Sequence, residues 1–310
     1  MALDADLLID RRRLKRRLAL WRAAAVLLLV LGAAWLGRSL GEEGGLGTLA
    51  AGGGQHVARL PVQGFIAEDR KLLEALERAR RDDAVRAVLV SIDSPGGSVS
   101  GGEALHAALQ RMAESKPVVA VMRGTAASAG YMVALPAGRI WAREATVTGS
   151  IGVVLQSPDA SELLSRLGVN VETIASGALK DQPSPFRPLS PEGRAALERV
   201  VRDLHDQFVG MVVRGRGMEE AAVRAIADGR VLTGRQALAA GLVDAIGGER
   251  EARAWLAAER AVPASLPVRE IETRGALDRF FEAAWSGLAK TLISEWLGVD
   301  GVRALWQPVR

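Results

Sequence analysis

Apolar residues along the chain fall into two periods. Leu72, Leu73, Leu76 and Ala79 recur at helical spacing within residues 69–82, whereas Val85–Ile92 (VRAVLVSI) is a mostly apolar run with the length of a buried strand. The same alternation extends to both sides. His56–Val62 reads as a first strand, residues 103–114 (EALHAALQRMAE) as a second helix, and Pro117–Met122 (PVVAVM) as another buried strand. Strand, helix, strand, glycine-rich turn, helix, strand predicts an α/β domain with parallel pairing. Such domains place their sites beyond the carboxyl ends of the strands, where the loops after Ile92 and Met122 both lie. Farther on, Ile140–Ala142 and Val147–Leu155 are apolar runs, and Val171–Ala175 reads as a short strand. Helices are predicted from about Pro191 to Val213, over Met218–Ala227 and over Glu249–Arg260, with a turn–helix–turn at Gly229–Gly248. Leu266–Ile271 is a further strand candidate. Residues 276–297 form an amphipathic pattern whose stripe is Phe280, Phe281, Ala284, Trp285, Leu288, Leu292 and Trp296. No internal repeat is present.

The N-terminus follows a different rule. Leu18–Leu36 is 19 residues long with one charge, Arg22, and follows the cluster Arg11-Arg12-Arg13-Leu14-Lys15-Arg16-Arg17. At about 1.5 Å per residue this nearly spans a hydrocarbon core of about 30 Å. Trp21 and Trp35 stand near its two ends, where amphipathic rings favour the interface. The preceding cations predict a cytoplasmic N-terminus, with the chain after Leu40 outside the cytoplasm. A cleaved signal peptide and a buried core helix are the rival readings. Trp35 and Leu36 continue the apolar run past Gly32-Ala33-Ala34, which favours an uncleaved anchor. The predicted organisation is therefore a basic segment at 1–17, an anchor at 18–40, a Gly-rich linker at 41–54, a main domain at 55–260 and an extension at 261–310.

Composition narrows the chemistry. A chain of 310 residues that is 49% hydrophobic and 25% charged can bury a sizeable core and is not broadly disordered. Cysteine is absent, which removes disulfides, thiolate catalysis and Cys-type metal sites. Three histidines (His56, His106 and His205) make a His-rich metal site unexpected, and none falls in a site-like segment. The net charge of +4 originates at the N-terminus: residues 1–22 carry seven Lys/Arg and three Asp, leaving 33 basic and 33 acidic residues. A nucleic-acid partner is not expected for so balanced a chain.

Three segments carry candidate chemistry. Asp93-Ser94-Pro95-Gly96-Gly97-Ser98 ends a strand, and its glycines permit backbone N–H groups to face a cavity. As a plain turn it would do nothing. Gly124-Thr125-Ala126-Ala127-Ser128-Ala129-Gly130-Tyr131 places a serine among small residues at a strand-to-helix turn, a pattern equally suited to tight packing. Ser176-Gly177-Ala178-Leu179-Lys180-Asp181 holds one of only five lysines. A lysine buried among small apolar residues loses solvation, which disfavours its charged form and suits it to act as a base; a solvated surface lysine does not.

DSPGG, TAASAGY, TGSIGV, SGALKDQPSP and GRVLTGRQALAAGLVD occur in an order that resembles the signal peptide peptidase A (SppA) family, Ser–Lys serine proteases related to ClpP. The resemblance covers about Val57 to Ala257 and is closest to short, single-unit bacterial members. It implies a ClpP/crotonase-like α/β fold, with a parallel sheet and flanking helices, for the peptidase domain behind the transmembrane helix. It matches Ser128 to the nucleophile, Lys180 to the general base and Ser150 to the serine that orients the lysine. Gly97 and the N–H of Ala129 match the oxyanion hole, with alanine standing where the family commonly has glycine. The implied activity is hydrolysis of signal peptides and other apolar peptides at a bacterial inner membrane, with the catalytic domain on the periplasmic side. No cofactor and no metal are implied. A homo-oligomer is implied, a dome-like ring with an octamer as its candidate size, in which neighbouring subunits complete the sites. A crotonase-like acyl-CoA enzyme and a non-catalytic membrane scaffold of the same fold are the alternatives.

Overall fold

The computed structural model describes Trp21 and residues 54–271. The expected anchor, apart from Trp21, and the amphipathic stripe at 276–297 lie outside the described residues. Among the described residues no helix is long and apolar enough to cross a membrane. The chain divides into two compact units, Met1–Gly54 and Gln55–Arg310, of which the second holds the elements below.

In chain order these are β1 (His56–Ile66), α1 (Arg70–Arg81), β2 (Val85–Gly97), α2 (Val99–Ala113), β3 (Val118–Ala127) and α3 (Ala129–Ala134). Then follow β4 (Arg139–Ala142), β5 (Val147–Gly149), α4 (Ser161–Arg166), α5 (Pro191–Arg216) and α6 (Glu220–Arg224). The last are β6 (Val231–Thr233), α7 (Gly234–Ala239), β7 (Ala245–Ile246), α8 (Glu249–Arg260) and β8 (Val268–Glu270). The sheet runs β6-β5-β3-β2-β1-β8, and β4 also pairs with β3 and carries β7. All pairings are parallel except β5 with β6. The expected parallel α/β architecture is therefore present.

The core follows from the two-residue period of the strands. Ala58, Leu60 and Val62 of β1, Val88, Val90 and Ile92 of β2, and Val118, Ala120 and Met122 of β3 join one cluster with α2, α3 and α5. The intervening Val57, Ala87, Leu89, Val119 and Val121 join a second cluster with Ala252 and Leu256 of α8. Both faces are covered, so the strands read as continuous apolar runs rather than alternating ones. The ends of α5 are set locally: Ser190 Oγ accepts from the Gly193 amide at 3.0 Å, and Gly217 closes the helix at φ 60°.

The three central strands are longer than their apolar runs. β2 continues through Gly97, so the predicted turn at Asp93–Gly97 is extended backbone. Its partner is the far end of β1, with Phe65 opposite Gly96 and Ile66 opposite Gly97. β3 continues to Ala127 because β5 lies beside it. Of the apolar run Val147–Leu155 only Val147–Gly149 is strand, because Gly149 (φ 76°) and Ser150 (φ 49°) turn the chain. Val171–Ala175 is not a strand: it is exposed and has no neighbour to pair with.

One polar cluster fastens the second half of the fold to the sheet. Arg216 at the end of α5 grips Asp244 at 2.6 and 3.1 Å, while Asp244 Oδ2 also accepts from the Ile140 amide of β4 at 2.7 Å. Burial alone would raise the Asp244 carboxyl, but Arg216 and the Ile140 amide outweigh it and hold the group below the usual carboxylate range. A folded-state value below the unfolded one adds stability that is present above the unfolded carboxyl range and is lost as pH falls through the folded value. Asp244→Asn is therefore expected to cost about 1.5–3 kcal/mol at neutral pH. In thermal unfolding, the gap in Tm between the two proteins should narrow below about pH 4. A gap independent of pH would show that the charge on Asp244 is not what fastens the helix.

Candidate active site

Ser128 occupies the single residue between β3 and α3, at φ 54° and ψ −121°. A non-glycine residue there costs about 1–3 kcal/mol and persists only where its surroundings over-determine it. They do so here. The Ser128 amide donates to Gly149 O at 2.9 Å, and its carbonyl accepts from the Tyr131 and Met132 amides at 2.9 and 3.1 Å. All six residues of α3 are buried, and the Tyr131 hydroxyl donates to Leu242 O at 2.8 Å. A Cβ on Gly130 would lie 3.0 Å from Ser94 O, and one on Gly102 would lie 2.9 Å from the Ala129 Cβ. The small residues around Ser128 thus serve tight packing, and that packing is what fixes the half-buried turn.

Ser150 follows β5 as Ser128 follows β3. Ala127 and Gly149 are register partners on these parallel strands, so the two serines leave the sheet side by side. The Ser150 amide donates to Arg230 O at 2.8 Å, and the Gly229 amide donates to Ile151 O at 3.1 Å. Both serines line one cavity of about 440 Å³. Its apolar wall is Val153, Val154, Val201 and Ala227, and its polar side chains beyond the serines are Arg202, His205 and Asp228. A second depression, of about 480 Å³ and lined by Glu249, Arg250, Arg253, Ala254 and Ala264, holds no nucleophile.

The Gly96–Gly97 stretch borders Ser128. A Cβ on Gly96 (φ 124°) would lie 2.9 Å from the Ser128 Cβ and 3.3 Å from its Oγ. Three bonds hold this stretch. The Ser98 amide donates to Ile66 O at 2.9 Å, Ser94 Oγ donates to Gly64 O at 2.6 Å, and the Gly96 amide donates to Ser94 Oγ at 3.1 Å. Asp93 Oδ1, accepting from the Thr125 amide at 3.0 Å, ties β2 to β3 just before the site. Ala129 follows Ser128 in the chain, and Gly97 follows the Gly96 that lies against it, while Gly97 itself faces the Ile66 backbone.

Lys180 is placed differently from the burial expected of it. It is exposed in the single chain and is not among the cavity's lining residues. Residues 171–180 around it are all exposed and include no strand. The stretch is nonetheless anchored. The Lys180 amide donates to Gly177 O at 3.1 Å, Asp181 pairs with Arg187 at 3.1 Å, and Gln182 lies against Gly193 in the first turn of α5.

His205 is the site residue that the sequence reading passed over. It stands in the acidic run Asp203–Asp206, which reads as a solvated helix face, yet the structure places it in the wall of the serine cavity. The available signal was the spacing of Val201, Arg202 and His205, which puts the three on one side of α5. His106 is by contrast structural. Burial lowers its pKa, and its Nδ1 lies 2.9 Å from Met132 O.

The sequence profile of peptidase family S49 matches residues 110–263, a stretch that contains Ser128, Ser150, Lys180 and His205. A Synechocystis sp. protein named as a protease is 39% identical over 203 residues, 65% of this chain and 73% of its own length.

The chain belongs to peptidase family S49.

It is accordingly a serine peptidase, which sets aside the acyl-CoA and scaffold readings. Other relatives of this S49 peptidase bear related names. An Enterococcus faecium protein named as the signal peptide peptidase SppA is 33% identical over 258 residues, 78% of this chain and 73% of that one. Protease 4 of Salmonella typhi is 38% identical over 170 residues, 54% of this chain and 27% of that one. Among solved structures, a ClpP1 variant of Listeria monocytogenes superposes at a TM-score of 0.40 and 16% identity, over 62% of this chain and 92% of its own.

Proposed function

We propose that this S49 peptidase is a membrane-anchored endopeptidase that degrades signal peptides and other apolar peptides with a Ser–Lys dyad. The observation that carries the reading is the pair of serines on adjacent parallel strands. Ser128 is held at a strained turn, and it lines one cavity together with Ser150. Lys180, as the free amine, takes the proton from Ser128 Oγ, which attacks the scissile carbonyl carbon. The Gly97 and Ala129 amides hold the oxyanion, the proton passes to the leaving amine, and an acyl ester remains on Ser128. Water, deprotonated by the same lysine, then hydrolyses the ester. Ser150 accepts from or donates to the lysine nitrogen and orients it, as a third group orients the base in other nucleophilic sites.

Assembly supplies what the single chain lacks. Nine of the exposed large apolar side chains among the described residues fall between Val154 and Phe186, including Ile174 at 93% and Leu167 at 68% exposure. A patch of this kind supports contact with another copy, and Lys180 sits within it. Covering this stretch would desolvate the lysine and close the site, in keeping with a ClpP-like ring.

A serine-directed fluorophosphonate tests the reading. It is expected to label the protein, and to fail in Ser128→Ala and in Lys180→Ala. Ser150→Ala should lower turnover by about 10²–10⁴-fold or less, the range for positioned acid–base groups. Labelling that survives Ser128→Ala would remove Ser128 as the nucleophile, and an unchanged rate in Ser150→Ala would remove Ser150 from the site.

The anchor proposal rests on Leu18–Leu36 and the cations before it. Protease added to intact spheroplasts is expected to digest the catalytic domain. Protection until the cells are lysed would reverse the topology.

A further inference from the structure

The serine cavity contains a polar group that the proposed dyad does not use. His205 lies in its wall with Val201 and Arg202, one turn before Phe208 and Val209, which are buried in the core and fix the helix in place. No hydrogen bond within the described residues holds the His205 ring, and its Nε2 is buried without a partner. His106 shows the contrast, its ring being set by the Met132 carbonyl. The other polar side chains on that wall are already engaged. Arg202 bonds Glu198 at 3.2 Å along the same helix. Asp228 is clasped by Arg230 at 2.6 and 2.8 Å, and that hydrogen-bonded pairing holds its carboxyl down to about 2. The remainder of the wall, Val153, Val154, Val201 and Ala227, is aliphatic.

We propose that His205 is a specificity-determining residue, hydrogen-bonding an uncharged polar side chain of the peptide that occupies the cavity beside Ser128. The inference rests on the peptidase reading and adds the class of side chain that the cavity selects. A neutral imidazole offers one donor and one acceptor. A hydroxyl or carboxamide side chain complements both, and turning the ring toward it would break no hydrogen bond among the described residues. An aliphatic side chain satisfies the valine wall but leaves the imidazole desolvated and unpaired. A charged side chain meets an arginine and an aspartate that already have partners. The cavity is thus apolar in most of its lining and selective at one point, rather than uniformly apolar.

The test uses full-length Ser128→Ala protein, so that binding is read without turnover. Labelled peptides that differ only by Thr or Val are scanned position by position by fluorescence anisotropy. At one position Thr is expected to bind about three- to tenfold tighter than Val, the range for one net hydrogen bond. Adding His205→Leu should bring that ratio to about one, whereas His205→Gln should keep part of it. The ring itself gives a second reading. With only three histidines in the chain, the His205 resonance is separable, and it should shift with the Thr peptide and not with the Val peptide. Equal binding of the two peptides at every position, with no histidine shift, overturns the proposal. So does a Thr preference that survives His205→Leu, or one that survives while the assembly dissociates, which would make His205 a subunit contact. If the protein with Ser128 intact neither hydrolyses peptides nor takes the fluorophosphonate, the peptidase reading fails, and the binding comparison still decides the role of His205.

Discussion

Lys180→Arg is expected to reduce peptide hydrolysis by on the order of 10²–10⁴-fold while leaving the protein folded. Arginine keeps the positive charge and comparable reach, but a guanidinium does not give up its proton at ordinary pH. The fold has little stake in the Lys180 side chain. The residue is exposed, and the bond recorded for it runs from its backbone amide to Gly177 O. Its substitution should therefore shift stability by no more than about 0.5 kcal/mol. The decisive measurement is kcat/KM on an apolar peptide alongside thermal unfolding. Near-normal turnover in Lys180→Arg would end the dyad assignment. Because Lys180 lies outside the Ser128 cavity of its own chain, mixing is informative too. Ser128→Ala and Lys180→Arg proteins, inactive separately, are expected to regain part of the activity when reassembled together. A mixture that stays inactive while wild-type protein survives the same treatment would place both residues of the dyad in one chain.

Gly97→Ala is expected to damage stability and turnover together. The new Cβ would sit 1.9 Å from Ile66 O and 2.6 Å from the Ile66 carbonyl carbon and nitrogen. These are backbone atoms of the neighbouring strand, so relief requires the end of β1 to part from β2. That movement strains the bond from the Ser98 amide to Ile66 O and shifts the Gly96 backbone that lies against Ser128. Overpacking of this kind costs about 1–3 kcal/mol, and contact with rigid backbone belongs at the upper end. A fall in Tm of roughly 6–12 °C follows for a domain of this size. Turnover should fall further than the unfolded fraction explains, because the displaced strand carries a proposed oxyanion donor. Wild-type Tm and rate in this variant would show that β1 and β2 are not joined this closely.

The contrast between these two residues indicates how much of the site was legible in advance. The turn at Ser128 was legible because its small neighbours form an uninterrupted local pattern, while its proposed role came from the resemblance of the motif to a peptidase family. The structure shows the same small residues packed tightly around a half-buried serine. Gly97 was read as part of a turn, whereas its true constraint is the carbonyl of Ile66, thirty-one positions earlier in the chain. His205 was passed over because a charged run on a helix looks like a solvated face. Which side of α5 meets the Ser150 turn depends on how that helix packs on α3.

By itself the sequence determined the alternation of strands and helices from β1 to β3, their parallel pairing and the apolar core. Those follow from periods of two and 3.6 residues and from chain connectivity, which are local properties. The positions of Ser128 and Ser150 directly after strands belong to the same class, whereas their proposed roles come from the resemblance of the motifs around them. Only the tertiary structure decided that Asp93–Gly97 is held extended by the end of β1, that β4 and β5 share one edge of β3, and that His205 enters the serine cavity. It also left Lys180 exposed in the single chain, outside the lining of the serine cavity. Each of these depends on what a distant segment places opposite a residue, and a one-dimensional pattern carries no record of that.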